Sequence, residues 1–244
     1  MATGAARYRG PPGPASDAVA RYAVGVVKCD AVTQTVPALI LASASPRRRE
    51  LLDALGFAFR VAPAAIDEGA IADGMPPERA ALAVASAKAS ALRGAGLVIL
   101  AADTMVVLDG RVLGKPASPA DAADMLAALR GRRHEVVTAV VVRADGDTQR
   151  AVRWSTVRMR AYGHDEIAAY VTGGTGLDKA GAYGIQDEPF RPVEAIDGCW
   201  CNVMGLPLWT AVRLLERAGC PMPRTPGQVF ARCATCPLAD EEPA

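Results

Sequence analysis

The chain has 244 residues, of which 51% are hydrophobic, and 27 basic residues balance 26 acidic ones to a net charge of +1. This length allows one large domain or two lobes with a substantial core. The balanced charge argues against a general nucleic-acid binder, and the short, interrupted apolar runs predict neither a membrane-spanning helix nor a secretory signal.

The predicted elements follow an N-terminal extension. Residues 1–37 are rich in Ala, Gly and Pro, and we expect this extension to be flexible. A domain over residues 38–217 is predicted next, and residues 218–244, with five prolines and an acidic end, are expected to form a loose tail. Apolar runs in the domain predict strands at 39–42, 57–62, 97–102, 136–142 and 151–159.

Helix signals alternate with these strands. Proline, capping residues and apolar periodicity predict helices at 46–55, 76–92, 118–130, 165–171 and 205–217. Asp109-Gly110 predicts a hairpin turn between two short strands, and residues 65–74 read as a loop. The alternation predicts an α/β fold in which a mixed, twisted sheet is flanked by helices.

The most informative stretch is the first strand with the helix that follows it. Two serines, Ser43 and Ser45, precede Pro46, and three arginines from Arg47 to Arg49 open the helix. The start of a helix already carries partial positive charge and free N–H groups, so further cations there favour a bound anion such as phosphate. The alternative is a solvated basic turn.

Two further segments carry charged residues next to turns or strand ends. Asp103 follows the buried run 97–102, and a carboxylate at the end of a strand can hold Mg²⁺ or take a proton from water. Lys115 lies in a Gly-Lys-Pro segment and can serve as a point charge on a phosphate. A turn-forming aspartate and a solvated lysine are the structural alternatives.

Residues 178–186 form the second most specific stretch. Small residues there allow the backbone to approach a ligand closely, and Gln186 offers the donor and acceptor that a pyrimidine edge requires. Earlier in the chain, Lys88 sits among alanines in a predicted helix. It either extends to solvent or points into a polar cleft.

These motifs resemble the Maf family of nucleoside triphosphate pyrophosphatases. The resemblance rests on Ser43 to Leu52, Ala102-Asp103-Thr104, Gly114-Lys115-Pro116 and residues 178–186, and it spans roughly residues 38–215. It implies a Maf/ITPase-like fold with a central cleft and hydrolysis of dTTP or UTP to the monophosphate and pyrophosphate. It also implies a role in clearing non-canonical nucleotides.

The resemblance also assigns roles. Asp103 is the implied catalytic base, and Glu68 and Asp103 are the implied ligands of Mg²⁺ or Mn²⁺, with Asp67 as an alternative to Glu68. The residues implied to bind substrate are Ser43, Arg47, Arg48, Lys88, Thr104, Lys115 and Gln186. Arg47, Thr104 and Gln186 match the trio of the dTTP/UTP branch.

Other readings stay open. Residues 187–189 and 199–201 depart from the family pattern, which bears on the shape of the base pocket. A regulatory protein that inhibits septum formation by binding a division partner is one alternative function, and a nucleotide sensor without turnover is another. A homodimer is implied by the family alone, and no nucleic-acid or membrane partner is expected.

The six cysteines do not suggest a disulfide scaffold, so a reduced, cytoplasmic setting is expected. Cys233 and Cys236 have the spacing of a zinc or redox pair, and Cys220 offers a third thiolate. Free thiols in the tail are the alternative. The two histidines lie in no HExxH motif or recognisable triad, which argues against Ser-His-Asp chemistry and His-rich metal sites.

Overall fold

The computed structural model describes residues 38–241 of the chain. The predicted N-terminal extension and the last three residues of the predicted tail lie outside the described residues. The described part forms a seven-stranded mixed sheet with helices packed on it, which confirms the predicted α/β class. None of its helices is long and apolar enough to cross a membrane.

The sheet combines a small parallel part with a larger antiparallel part. Its strands are β1 Ala38–Leu41, β2 Phe59–Val61, β3 Leu97–Leu108, β4 Arg111–Leu113, β5 Arg133–Ala144, β6 Asp147–Met159 and β7 Val193–Asp197. Their order is β2-β1-β3-β5-β6-β7, and β4 also pairs with β3. β1 runs parallel to β2 and β3, whereas the other pairs are antiparallel.

Helices cover both faces of this sheet. They are α1 Pro46–Ala54, α2 Glu68–Ala72, α3 Pro77–Ala91, α4 Pro119–Leu129, α5 His164–Thr172, α6 Trp200–Met204, α7 Leu208–Arg217, α8 Pro226–Val229 and α9 Ala231–Ala234. Alternate residues of β3 serve two cores, as the pleat of a strand requires. Ile99 and Ala101 pack with α3, and Val98 and Leu100 pack with α1 and α7.

The third strand is longer than predicted, and this matters for the site. β3 continues through Ala102 to Leu108 because β5 pairs with it along nearly its whole length. On the opposite edge, β1 pairs only with residues 97–100 and β4 only with 106–108. Asp103 therefore lies in the middle of a strand, not at its end as predicted, and residues 101–105 face a gap in the sheet.

Several short elements differ from the sequence prediction. The predicted loop 65–74 contains α2, which begins where the Asp67 side chain accepts a hydrogen bond from the Ala70 N–H. β7 and α6 were not predicted. A segment of five residues is too short to show a clear hydrophobic period in the sequence. Whether it forms a strand or a helix depends on the elements it contacts in the fold.

The C-terminal segment packs on the core, which differs from the loose tail that the sequence predicts. Cys233, Cys236 and Leu238 are at most 7% exposed and join the core that includes α7. The Trp209 indole N–H donates to the Cys233 carbonyl at 2.8 Å, and the Arg213 guanidinium donates to the Leu238 carbonyl at 2.6 Å. The composition of the tail did not reveal these contacts because the side chains that hold it, Trp209 and Arg213, belong to α7.

Candidate active site

The gap beside β3 opens into a cleft of about 590 Å³. Its walls come from the β1–α1 loop, the start of α1, α3, the middle of β3, the segment after β4 and residues 178–186. Five cationic side chains and three carboxylates line it. A cleft with excess positive charge and recessed walls suits a polyanion such as a nucleoside triphosphate.

The middle of β3 sends its side chains to both faces. Asp103 points to the α3 face, where its Oδ1 is 2.8 Å from Lys88 Nζ. The same ammonium lies 2.8 Å from Oε1 of Glu68 at the start of α2. Lys88 thus bridges two carboxylates that the sequence motifs assign to a metal, while its own position in α3 is nearly inaccessible to solvent.

The environment of Asp103 makes its carboxylate a better proton acceptor than an exposed aspartate. Burial raises the pKa of Asp103, and the nearby cations Lys88 and Arg48 oppose this rise only in part. A carboxylate with a raised pKa binds a proton from water more readily. The arrangement therefore fits a general base.

Arg48 is the most constrained arginine of the basic stretch. Its Nε donates to the Gly205 carbonyl at 2.7 Å, one Nη donates to Ser43 Oγ and the other to Thr104 Oγ1, both at 3.0 Å. Burial lowers its pKa, although a guanidinium stays protonated at neutral pH. The charge of Arg48 reaches the cleft while its donors hold the β1–α1 loop, β3 and the end of α6 together.

The start of α1 is open to an anion. Ser45 occupies the N-cap position as predicted, but its hydroxyl makes no capping hydrogen bond within the described part of the chain. Arg47 reaches across the cleft to Asp178, with Nη1 3.3 Å from Oδ2. This ion pair is partly exposed, and a pair of that kind contributes only about 0–1 kcal/mol. A phosphate can displace it at little cost.

All nine residues that the sequence motifs implicate line this one cleft: Ser43, Arg47, Arg48, Glu68, Lys88, Asp103, Thr104, Lys115 and Gln186. Lys115 is exposed at its rim. The Gln186 side-chain oxygen is buried there, and nothing in residues 38–241 donates a hydrogen bond to it. Asp67, the alternative to Glu68, caps α2 instead.

Two charged residues of the cleft were not assigned by sequence reasoning. Lys179 is buried and lies 2.9 Å from Asp178 Oδ1 and 3.6 Å from Asp187 Oδ2. Asp178 in turn faces Arg47. Both residues stand in the stretch that identified Gln186, but the pairing of charges depends on contacts between segments that are distant in sequence.

Comparison with known proteins identifies the family. Residues 38–218 match the model of Maf-like proteins. The chain belongs to the Maf family. This membership agrees with the family that the motifs in the β1–α1 loop, β3 and residues 178–186 indicate.

Individual relatives are close. The dTTP/UTP pyrophosphatase of Thermomicrobium roseum is 49% identical over 209 residues, covering 84% of this chain and 95% of that protein. The protein of the same name from Anaeromyxobacter dehalogenans is 50% identical over 191 residues, covering 77% and 97%. A HAM1 protein structure from Coxiella burnetii is 18% identical, covers 52% of this chain and 74% of that one, and has a TM-score of 0.36, too low to carry an argument.

Proposed function

We propose that this protein hydrolyses dTTP and UTP to the nucleoside monophosphate and pyrophosphate. The observation that carries the proposal is a buried carboxylate, Asp103, with a raised pKa and a position among the cations of a single cleft. The dTTP/UTP pyrophosphatases of Thermomicrobium roseum and Anaeromyxobacter dehalogenans, about half identical to this chain, support the same substrates.

The cations would neutralise the triphosphate. Arg47 and the open N-terminus of α1 bind one phosphate group, with Ser43 donating a hydrogen bond from the preceding loop. Lys115 reaches the chain of phosphates from the rim. Such positioning and charge neutralisation supply most of what phosphoryl transfer needs. Asp103 holds the attacking water and accepts its proton as the anhydride bond between the α- and β-phosphates breaks.

The donor set fits Mg²⁺ or Mn²⁺. Glu68 and Asp103 present carboxylate oxygens to the same point, which Lys88 now bridges. Two carboxylates completed by substrate phosphates are the usual set for Mg²⁺, which seldom has a cage made only of protein. A bound ion would polarise the phosphate oxygens and offset their charge. Lys88 would then turn from the carboxylates toward the phosphates.

Gln186 would read the base. Its unpartnered oxygen can accept the N3–H of uracil or thymine, a donor that cytosine lacks. A base that supplies this donor would satisfy the amide oxygen, whereas a base without it would leave the oxygen buried and unpaired at a cost of about 1–3 kcal/mol. This supports dTTP and UTP above CTP.

Pyrophosphate release from dTTP, UTP, CTP and GTP with Mg²⁺ tests the proposal. We expect release from dTTP and UTP with the wild type. Asp103→Asn should reduce kcat by on the order of 10²–10⁴-fold, the usual contribution of a general base. The control is Asp124→Asn, which neutralises an exposed carboxylate on α4 and should leave kcat unchanged.

Binding of a non-hydrolysable dTTP analogue should survive in Asp103→Asn. An Asp103→Asn protein as active as the wild type would remove Asp103 from the chemistry. A wild type that binds nucleotides tightly but releases no pyrophosphate would favour the sensor or division-partner readings instead.

A further inference from the structure

Four buried cysteines meet where the C-terminal segment packs on α6, outside the nucleotide cleft. Two belong to a Cys-x-Cys pair at the start of α6, and two belong to the Cys-x-x-Cys pair of the C-terminal segment. We call them the four-cysteine cluster: Cys199, Cys201, Cys233 and Cys236. Each is at most 7% exposed.

The sulfurs are in contact but not bonded. Cys201 Sγ and Cys233 Sγ are 3.3 Å apart, far beyond the roughly 2.05 Å of a disulfide. Cys199 is close enough to both Cys201 and Cys236 for them to influence its pKa. Sulfurs bound to one tetrahedral Zn²⁺ at about 2.3 Å stand about 3.8 Å from one another. The observed contact is much closer to that spacing than to a covalent bond.

Backbone N–H groups also point at these sulfurs. Those of Cys201 and Asn202 lie near the Cys199 sulfur, although the Asn202 N–H donates to the Cys199 carbonyl at 3.1 Å, and that of Leu238 lies near the Cys236 sulfur. A neutral thiol is a weak acceptor and gains little from such donors. A thiolate bound to a metal needs them, because hydrogen bonds from the surroundings orient the ligand and offset its charge.

We propose that the four-cysteine cluster binds one structural Zn²⁺ ion. On binding, each sulfur gives its proton to solvent and donates a lone pair to the ion, with no transfer of electrons. Within residues 38–241, no three or more His, Cys, Asp and Glu side chains are arranged to hold a metal ion as they stand, so binding requires the four sulfurs to rearrange. The thiols therefore close around the ion by small side-chain rotations as they lose their protons.

Cys220 is not part of this site. The sequence offers it as a third thiolate, but it is buried after α7 and no hydrogen bond links it to the four-cysteine cluster within the described residues. The partners of Cys233 and Cys236 are instead Cys199 and Cys201. The Cys-x-Cys pair replaces the residues that the family pattern has there, so this chain carries two half-sites that complement each other.

The ion would fix the C-terminal segment against α6. That helix ends at Gly205, whose carbonyl accepts the Arg48 Nε hydrogen bond. The bound ion thus stabilises the backbone that holds Arg48, although it lies outside the cleft. This inference does not depend on the proposed substrate, because its readouts are metal content and spectroscopy.

The test is a titration of the full-length, reduced, metal-free protein with Co²⁺ in excess Mg²⁺, which fills carboxylate sites. We expect one equivalent of Co²⁺, with the d–d bands of a tetrahedral site and an intense thiolate-to-cobalt charge-transfer band. Zn²⁺ should displace it and protect four cysteines from alkylation. Cys199→Ser and Cys236→Ser should each weaken Co²⁺ binding at least tenfold, while the control Cys220→Ser binds as the wild type does.

Three results would overturn the proposal. The first is a wild type whose thiols are reduced but which takes up no Co²⁺ or Zn²⁺. The second is Co²⁺ binding that is unchanged in Cys199→Ser and Cys236→Ser. The third is a Cys201–Cys233 disulfide in protein taken directly from cells, which would make the cluster a redox pair. Should the serine variants fail to fold, the wild-type titration and alkylation pattern decide alone.

Discussion

Lys88 illustrates how a single residue can hold two carboxylates of the cleft together. Its ammonium contacts Glu68 and Asp103 at 2.8 Å each. Two carboxylates that face one point repel each other, and the cation between them compensates for that repulsion while the cleft is empty. In the proposed function, a divalent metal with the substrate phosphates would offset this repulsion instead.

His134 is a buried titratable residue outside the cleft. Its Nε2 lies 2.7 Å from the Tyr183 hydroxyl, and its Nδ1 has no hydrogen-bond partner in the described structure. Burial lowers the pKa of His134 from 6.5 to about 4. The folded protein therefore holds a neutral imidazole where the unfolded chain binds a proton below about pH 6.5.

We predict that His134 makes the protein sensitive to acid. A lowered pKa contributes stability that is present above pH 6.5 and is lost as pH falls toward about 4. Between about pH 7.5 and pH 5 the wild type should lose about 2 kcal/mol more free energy of unfolding than His134→Gln, which does not titrate. Urea unfolding at both pH values measures this. Equal losses in the two proteins would show that His134 is protonated in the fold.

At the scale of elements, the short helix α6 links the sheet to the cleft. Asn202 in this helix donates to the Val136 carbonyl at 3.1 Å and to Ser155 Oγ at 3.0 Å, which attaches α6 to β5 and β6. The helix ends at Gly205, whose φ of +108° is in the region that favours glycine. The buried end of α6 thus presents a carbonyl to Arg48.

We predict that Gly205→Ala lowers both stability and activity. A Cβ at this position would lie 3.3 Å from Thr104 Oγ1 and 3.5 Å from Arg48 Nε, and the backbone would be strained. We expect a loss of about 1–2 kcal/mol in free energy of unfolding, with a fall of about tenfold in kcat/KM, since about 1.4 kcal/mol of lost transition-state stabilisation has that effect.

Gly174→Ala is the matched control. Gly174 also has a positive φ, +70°, but a Cβ there would meet nothing within 4 Å. We expect a similar loss of stability and an unchanged kcat/KM. If the two variants lose activity alike, the effect of Gly205→Ala would come from backbone strain in general and not from Arg48.

At the scale of the whole molecule, three hydrophobic cores surround the sheet, and the C-terminal segment completes one of them. Leu238 joins the core that contains α1, α7 and the face of β3 formed by Val98 and Leu100. Arg213 and Trp209 hold the backbone of this segment from α7. The segment therefore behaves as part of the domain, although the family region ends at residue 218.

We predict that Leu238→Ala destabilises the whole protein. Leu238 is 7% exposed, and truncation of a buried leucine removes apolar contacts and leaves a cavity, at a cost of about 2–3 kcal/mol. The control is Met75→Ala, which shortens a side chain that is 44% exposed and should cost at most about 0.5 kcal/mol. Chemical denaturation of both variants measures the difference. Equal, small effects would mean that the C-terminal segment is not packed on the core.

The sequence by itself determined the family and the alternation of strands and helices, and it singled out nine residues that the structure brings to one cleft. It could do so because these depend on local patterns: apolar periodicity, a proline and serines at the start of α1, and Asp109-Gly110 in the hairpin, where both residues have positive φ. The cytoplasmic setting and the homodimer stay predictions.

The tertiary structure decided what these residues contact. That Asp103 lies in mid-strand follows from where β1 and β4 stop pairing with β3, a register that no local pattern encodes. The inward turn of Arg48 depends on Gly205, and the four-cysteine cluster depends on two segments more than 30 residues apart. Such contacts depend on how the whole chain packs. A buried polar group needs a hydrogen-bond partner, and the fold decides which group lies close enough to be that partner.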